Sequence, residues 1–203
     1  MKCILILLLI TATDAQERRI GTAGGHYIAS DIIPVQVGQE LWKKYSLRWG
    51  DTNFVRSYPE SVATRYGVPY KVVGENKTGL VVEVSPNNYE RYALVLPLSM
   101  TGKVVRYEQP HAYDLNRNLI AYCDGDVDTD SALVVENFVT REKQFFPADS
   151  CHFFAFNSPC LGVFKAAFRG DSLYYEWQIQ DPDSKKPKSL IKSRVAPLAV
   201  SKE

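Results

Sequence analysis

The chain is poor in the groups that hydrolytic and metal chemistry require. It has only three histidines, His26, His111 and His152, and none stands at H-E-x-x-H or other metal-ligand spacing. There is no G-x-S-x-G elbow, and Gly170-Asp171-Ser172 runs into Leu173-Tyr174 where a serine protease needs glycine for its oxyanion site. Cys151 and His152 are neighbours in an expected strand, so their side chains point to opposite faces and form no thiolate pair. With acid–base groups this sparse, the sequence reads as non-enzymatic. Charge of one sign is also lacking: a net +1 suggests neither a nucleic-acid partner nor a polybasic membrane surface. Beyond residue 10 no long apolar run follows, so no transmembrane segment is expected.

What is present begins at the N-terminus. Lys2, the apolar run Ile4 to Ile10 and the small residues Thr13 and Ala15 form a secretory signal over residues 1–15, too short to span a bilayer, which takes about 20 residues. The expected location is therefore extracellular. Processing removes Cys3 and leaves Cys123, Cys151 and Cys160, of which two are expected to pair; three connectivities are open. Asn76-Lys77-Thr78 is an N-glycosylation sequon bracketed by Gly74 and Gly79, and export makes Asn76 an expected glycan site.

The rest of the chain reads as one β-rich domain over residues 31–180, flanked by a flexible segment at 16–30 and a basic, proline-containing tail at 181–203. Apolar runs at 80–84 and 89–96 are separated by Ser85-Pro86-Asn87-Asn88, a hairpin signal. Further strands are expected at 103–107, 118–123, 132–139, 143–146 and 151–156. Leu173, Tyr175, Trp177 and Ile179 alternate with Tyr174, Glu176, Gln178 and Gln180, and the partner strand 163–168 joins through Gly170-Asp171. Two short helices are expected earlier, one placing Leu41, Trp42 and Tyr45 on a common face, the other opening with the capping box Ser57-Tyr58-Pro59-Glu60 and ending at Gly67. No internal repeat is evident.

Three features carry candidate function. Asp124, Asp126, Asp128 and Asp130 alternate in an acidic run whose carboxylates suit Ca²⁺, although the run is not an EF-hand; the competing reading is a solvated loop that discourages edge pairing. Arg169-Gly170-Asp171 matches the tripeptide that integrins recognise and falls at an expected hairpin tip. Aromatic side chains crowd the strands, and several strands are apolar on both faces, which leaves room for an apolar ligand or lipid.

Between Gly102 and Cys151, the order Tyr113-Asp114, Asn116-Arg117, an acidic loop, Val134-Val135 with Phe138, Phe145-Phe146-Pro147 and Cys151 resembles the ependymin-related proteins and the bacterial lipoprotein-localisation factors (LolA-like) that share their fold. The resemblance implies a mainly β (α+β) protein with a strongly curved antiparallel sheet, a half-barrel holding helices or an apolar ligand. It also implies an extracellular glycoprotein connected with calcium and matrix contact, often a homodimer, with no catalytic residues. The expected function is a secreted, non-enzymatic glycoprotein that binds an apolar small molecule or lipid; the alternative is a calcium-associated matrix or cell-adhesion component.

Overall fold

The computed structural model describes residues 16–124, 131–147, 162–180 and 189–199. The described chain is mainly β, arranged as four antiparallel sheets in which each strand pairs with its neighbours in sequence. The first sheet holds β1 (Gln16–Gly21), β2 (Tyr27–Val37), β3 (Glu40–Gly50) and β4 (Val55–Thr64). The second holds β5 (Tyr70–Glu75), β6 (Gly79–Val84), β7 (Tyr92–Pro97) and β8 (Val105–Glu108). The third holds β9 (Pro110–Asp114), β10 (Leu119–Tyr122), β11 (Ser131–Asn137) and β12 (Lys143–Pro147). The fourth holds β13 (Val163–Arg169), β14 (Ser172–Gln180) and β15 (Ser189–Pro197).

The period of two along each strand decides how the sheets meet. On β6 and β7, Leu80, Val82, Val84, Tyr92, Leu94 and Leu96 face the first sheet, where they pack with Ile28, Tyr45, Leu47, Trp49 and Val62. The intervening Val81, Ala93 and Val95 face the third sheet and pack with Ile120, Tyr122, Val134 and Phe138. The third sheet repeats the division: Leu119, Ala121, Leu133 and Val135 turn the other way, onto Leu173, Tyr175 and Trp177 of the fourth. Strands β6, β7 and β10 are thus apolar on both faces because a sheet covers each side.

Several expectations are corrected here. None of the four sheets closes on itself, and the strongly curved half-barrel is not what these strands form. The two N-terminal helices are strands β3 and β4. Leu41, Trp42 and Tyr45 satisfy a helical spacing, but the residues that are buried are Tyr45, Leu47 and Trp49, a period of two. In β4, Ser46 pairs with Ser61 and Arg48 with Ser57, so Tyr58-Pro59-Glu60 bulge opposite Leu47 on an edge strand, where a proline that cannot donate is tolerated. The segment 16–30, expected to be flexible, supplies β1 and the buried start of β2, Tyr27 to Ser30. Within the expected tail, residues 189–197 form β15 and pair along all of β14.

Other strands follow the sequence. The hairpins β6–β7 and β13–β14 form in the expected places, with Gly170-Asp171 as the two-residue connection closed by the Arg169–Ser172 pair. The expected strand at 151–156 lies outside the described residues. Among those described, no helix is long and apolar enough to cross a membrane.

The strand reading of residues 40–50 separates two side chains that a helix would bury together. Tyr45→Ala should cost about 3–5 kcal/mol in urea unfolding, whereas Leu41→Ser, at a 71% exposed position, should fall within about 0.5 kcal/mol of wild type. Comparable losses from both would contradict the sheet.

Candidate functional site

A cleft of about 320 Å³ opens between the second and third sheets, with Tyr107 and Arg106 of β8 on one side and Tyr122, Glu136 and Lys143 on the other. Its floor is the Glu136 carboxylate, only 1% exposed. Tyr107 donates to Oε1 at 3.1 Å and Tyr122 to Oε2 at 2.8 Å. Arg141 Nη2 lies 2.8 Å from Oε1, and Lys143 Nζ 3.8 Å from Oε2. Arg141 Nη1 also donates to the Tyr107 hydroxyl at 2.9 Å, which closes the network. Burial, reinforced by the Glu136 charge, pushes both tyrosine hydroxyls above their usual range, so both remain donors across physiological pH. With three donors within hydrogen-bond distance of its two oxygens and the Lys143 ammonium as a further cation at 3.8 Å, the buried carboxylate is well paired, and its network fastens two sheets together.

Arg141 reaches this place through its turn. Asn137, at the end of β11, accepts the backbone N–H groups of Val139 and Thr140 on its side chain, and Arg141 takes a φ of +68°. Asp114 does the same for the β9–β10 turn, accepting the Arg117 N–H on Oδ1 and pairing with its guanidinium at 2.7 Å. Such Asx turns let a polar side chain complete a backbone turn. The Tyr113-Asp114 and Asn116-Arg117 elements noted in the sequence therefore build a turn.

A second assembly runs across the first connection of each sheet. Thr22 and His26, in the β1–β2 turn, meet the Glu75 carboxylate at 2.6 and 3.2 Å. Asn76 donates to the Leu115 carbonyl and, at 2.8 Å, to Asn118 Oδ1 in the β9–β10 turn. Arg117 in that turn lies 3.6 Å from Asp171 at the β13–β14 tip. The four turns are thereby linked in a row. No sequence signal marks this row, because its members are separated by about 40 or more residues in most steps.

Arg169, Gly170 and Asp171 are all exposed. Gly170 has a φ of +52°, the left-handed region that glycine adopts at no steric cost. The Arg169 guanidinium lies 3.9 Å over the Tyr174 ring, and Leu198 N–H donates to the Asp171 carbonyl at 2.8 Å, which fixes the turn against the end of β15.

Of the acidic run, Asp124 is described: its Oδ2 receives Lys143 Nζ at 3.1 Å. Asp126, Asp128 and Asp130 lie outside the described residues, as do Cys151, Cys160 and His152. No cluster of metal-ligating side chains occurs among the described residues. Cys123 is the one cysteine among them, and its Sγ lies 3.8 Å from His111 Nε2. The aromatics expected to line a hollow divide: Tyr107, Phe138, Phe146, Tyr175 and Trp177 fill the sheet interfaces, while Tyr89, Phe145 and Phe164 are exposed. Phe153, Phe154 and Phe156 lie outside the described residues.

Comparison with protein-family models, with curated proteins and with solved structures yields no match.

Two outcomes follow from the cleft and its surroundings. Arg141→Met strips the buried Glu136 of its nearest cation and should cost about 2–3 kcal/mol, below the range for a fully buried pair because the guanidinium is half exposed. Adding Glu136→Gln should recover part of that loss in a double-mutant cycle. His111 is held neutral, with its pKa lowered to about 4 by burial and then by the Arg91 charge. Its folded value lies below its unfolded value, so its contribution is complete above about pH 6.5 and is lost as pH falls toward 4. Unfolding between pH 7 and pH 4 should show a loss of about 2–3 kcal/mol that His111→Gln removes.

Proposed function

We propose that this protein is an exported, non-enzymatic interaction protein that presents Arg169-Gly170-Asp171 to an integrin-class receptor. The observation that carries the reading is the placement of the tripeptide on an exposed two-residue hairpin tip, with Gly170 in the left-handed conformation the turn requires. A receptor that reads one cation and one carboxylate across a glycine needs both side chains to reach outward from a short, fixed backbone. Two contacts fix that backbone, the Arg169–Ser172 pair and the Leu198 bond to the Asp171 carbonyl, while Arg117 lies 3.6 Å from the Asp171 carboxylate, an exposed ion pair that a receptor cation replaces at little cost. Lifting Arg169 off Tyr174 costs roughly 0.5–1 kcal/mol at an exposed site, little against receptor binding.

The secretory signal supports an extracellular setting, and the pairing of the buried Glu136 carboxylate with two tyrosine hydroxyls and Arg141 supports a structural rather than a proton-transferring role for the cleft. The apolar-ligand reading draws less support, because many of the aromatics it relied on are spent on contacts between sheets.

Cells bearing such receptors should attach to the immobilised protein in the presence of divalent cation, and Asp171→Glu should abolish attachment while leaving the urea midpoint unchanged. Equal attachment to wild type and Asp171→Glu, or none to wild type, would remove this reading.

A further inference from the structure

We infer that Asn76 is a clamp between the second and third sheets, and that glycosylation of Asn76 and the closed fold exclude each other, so the folded, exported protein carries Asn76 bare. The inference rests on the export proposed above, since only an exported chain meets the oligosaccharide transferase.

The amide has two N–H bonds and both are used. One goes to the Leu115 carbonyl and the other, at 2.8 Å, to Asn118 Oδ1, both in the β9–β10 turn. The carbonyl oxygen of the same side chain is equally occupied, accepting the Thr78 and Gly79 backbone N–H groups at 2.9 and 3.1 Å. Thr78 Oγ1 lies 2.7 Å from Asn76 Oδ1 and 2.9 Å from Asn118 Oδ1, so the sequon threonine belongs to the same clamp.

Transfer of an oligosaccharide from its lipid-diphosphate carrier forms a bond between Nδ2 and the anomeric carbon of the sugar. The lipid diphosphate departs, and one Nδ2 proton is lost to a base. The modified amide keeps a single N–H, so one of the two acceptors loses its donor. The sugar ring must also enter the space those acceptors occupy. The β5–β9 side of this clamp is close-packed, since on neighbouring β5 a Cβ added to Gly74 would lie 2.6 Å from Leu115 Cδ1, the residue whose carbonyl takes one of the two Asn76 donors. The exposed members of the sequon, Lys77 and Thr78, make it look open in the sequence, while Asn76 between them and β5 is turned inward and half-buried.

The test uses the full chain, secreted from a glycosylating cell under its own leader, with Glu90→Thr as a companion variant that builds a sequon on the exposed Asn88. Peptide mass spectrometry should find Asn76 unmodified in both proteins and a glycan on Asn88 of the companion. A glycan on Asn76 of folded, secreted protein overturns the inference; retention of both proteins inside the cell, with Asn88 unmodified, overturns the export on which it rests. A second arm needs no glycan. Asn76→Asp and Thr78→Ala both destroy the sequon, but only the first removes both donors. The melting temperature should fall by on the order of 5–10 °C for Asn76→Asp and by less than about 3 °C for Thr78→Ala. Equal shifts would mean that Asn76 is no clamp.

Discussion

The structure depends on one constraint: the second and third sheets are apolar on both faces, and a sheet of that kind has no face to offer to water. Leu80, Val82 and Leu94 on one side of the second sheet and Val81, Ala93 and Val95 on the other must each be covered. The first and fourth sheets supply the outer covers, and the second and third cover each other. Each interface buries side chains from strands distant in sequence, so local hairpins are joined into a core by their faces and not by shared strands.

Dry interfaces leave the polar ends of strands to be satisfied, and this is done between sheets as well as within them. Glu136 takes donors from β8 and β10 and from the turn that follows β11. Asn76 joins the β5–β6 turn to the β9–β10 turn, and Thr22 and His26 join the first turn to Glu75. Buried polar groups of this kind are costly when unpaired and specify one packing when paired. They hold the register of one sheet against the next where apolar contact alone would tolerate sliding. The Arg169-Gly170-Asp171 tip stands at the end of this row, beside Arg117, so the proposed recognition turn is braced by the same turns that align the sheets.

Where sequence reasoning succeeded and failed follows from the range of the forces involved. The β13–β14 hairpin was legible because alternation from Leu173 to Gln180 and the turn chemistry of Gly170-Asp171 are both local. Residues 40–50 misled because Leu41, Trp42 and Tyr45 fit a helical face, and only the first sheet's contact with the second shows that Tyr45, Leu47 and Trp49 are the buried set. Pro59 in a capping-box pattern had no way to announce an edge bulge opposite Leu47. The doubly apolar strands were visible as a pattern and were read as the wall of a hollow, whereas the second face is covered by another sheet. Of the candidate sites, the hairpin tip was legible and the Glu136 network was not, since its members come from three separate segments.

The sequence by itself determined the β character of the chain after Leu80, the hairpin turns and the tripeptide at the β13–β14 tip, all of which rest on contiguous residues. Tertiary structure alone decided that the N-terminal third is strand, that the sheets stack face to face, that Glu136 becomes a shared anchor and that Asn76 spends both of its donors on another turn. The physical reason is common to these: burial and hydrogen-bond satisfaction are properties of a side chain's neighbours, and here those neighbours lie tens of residues away.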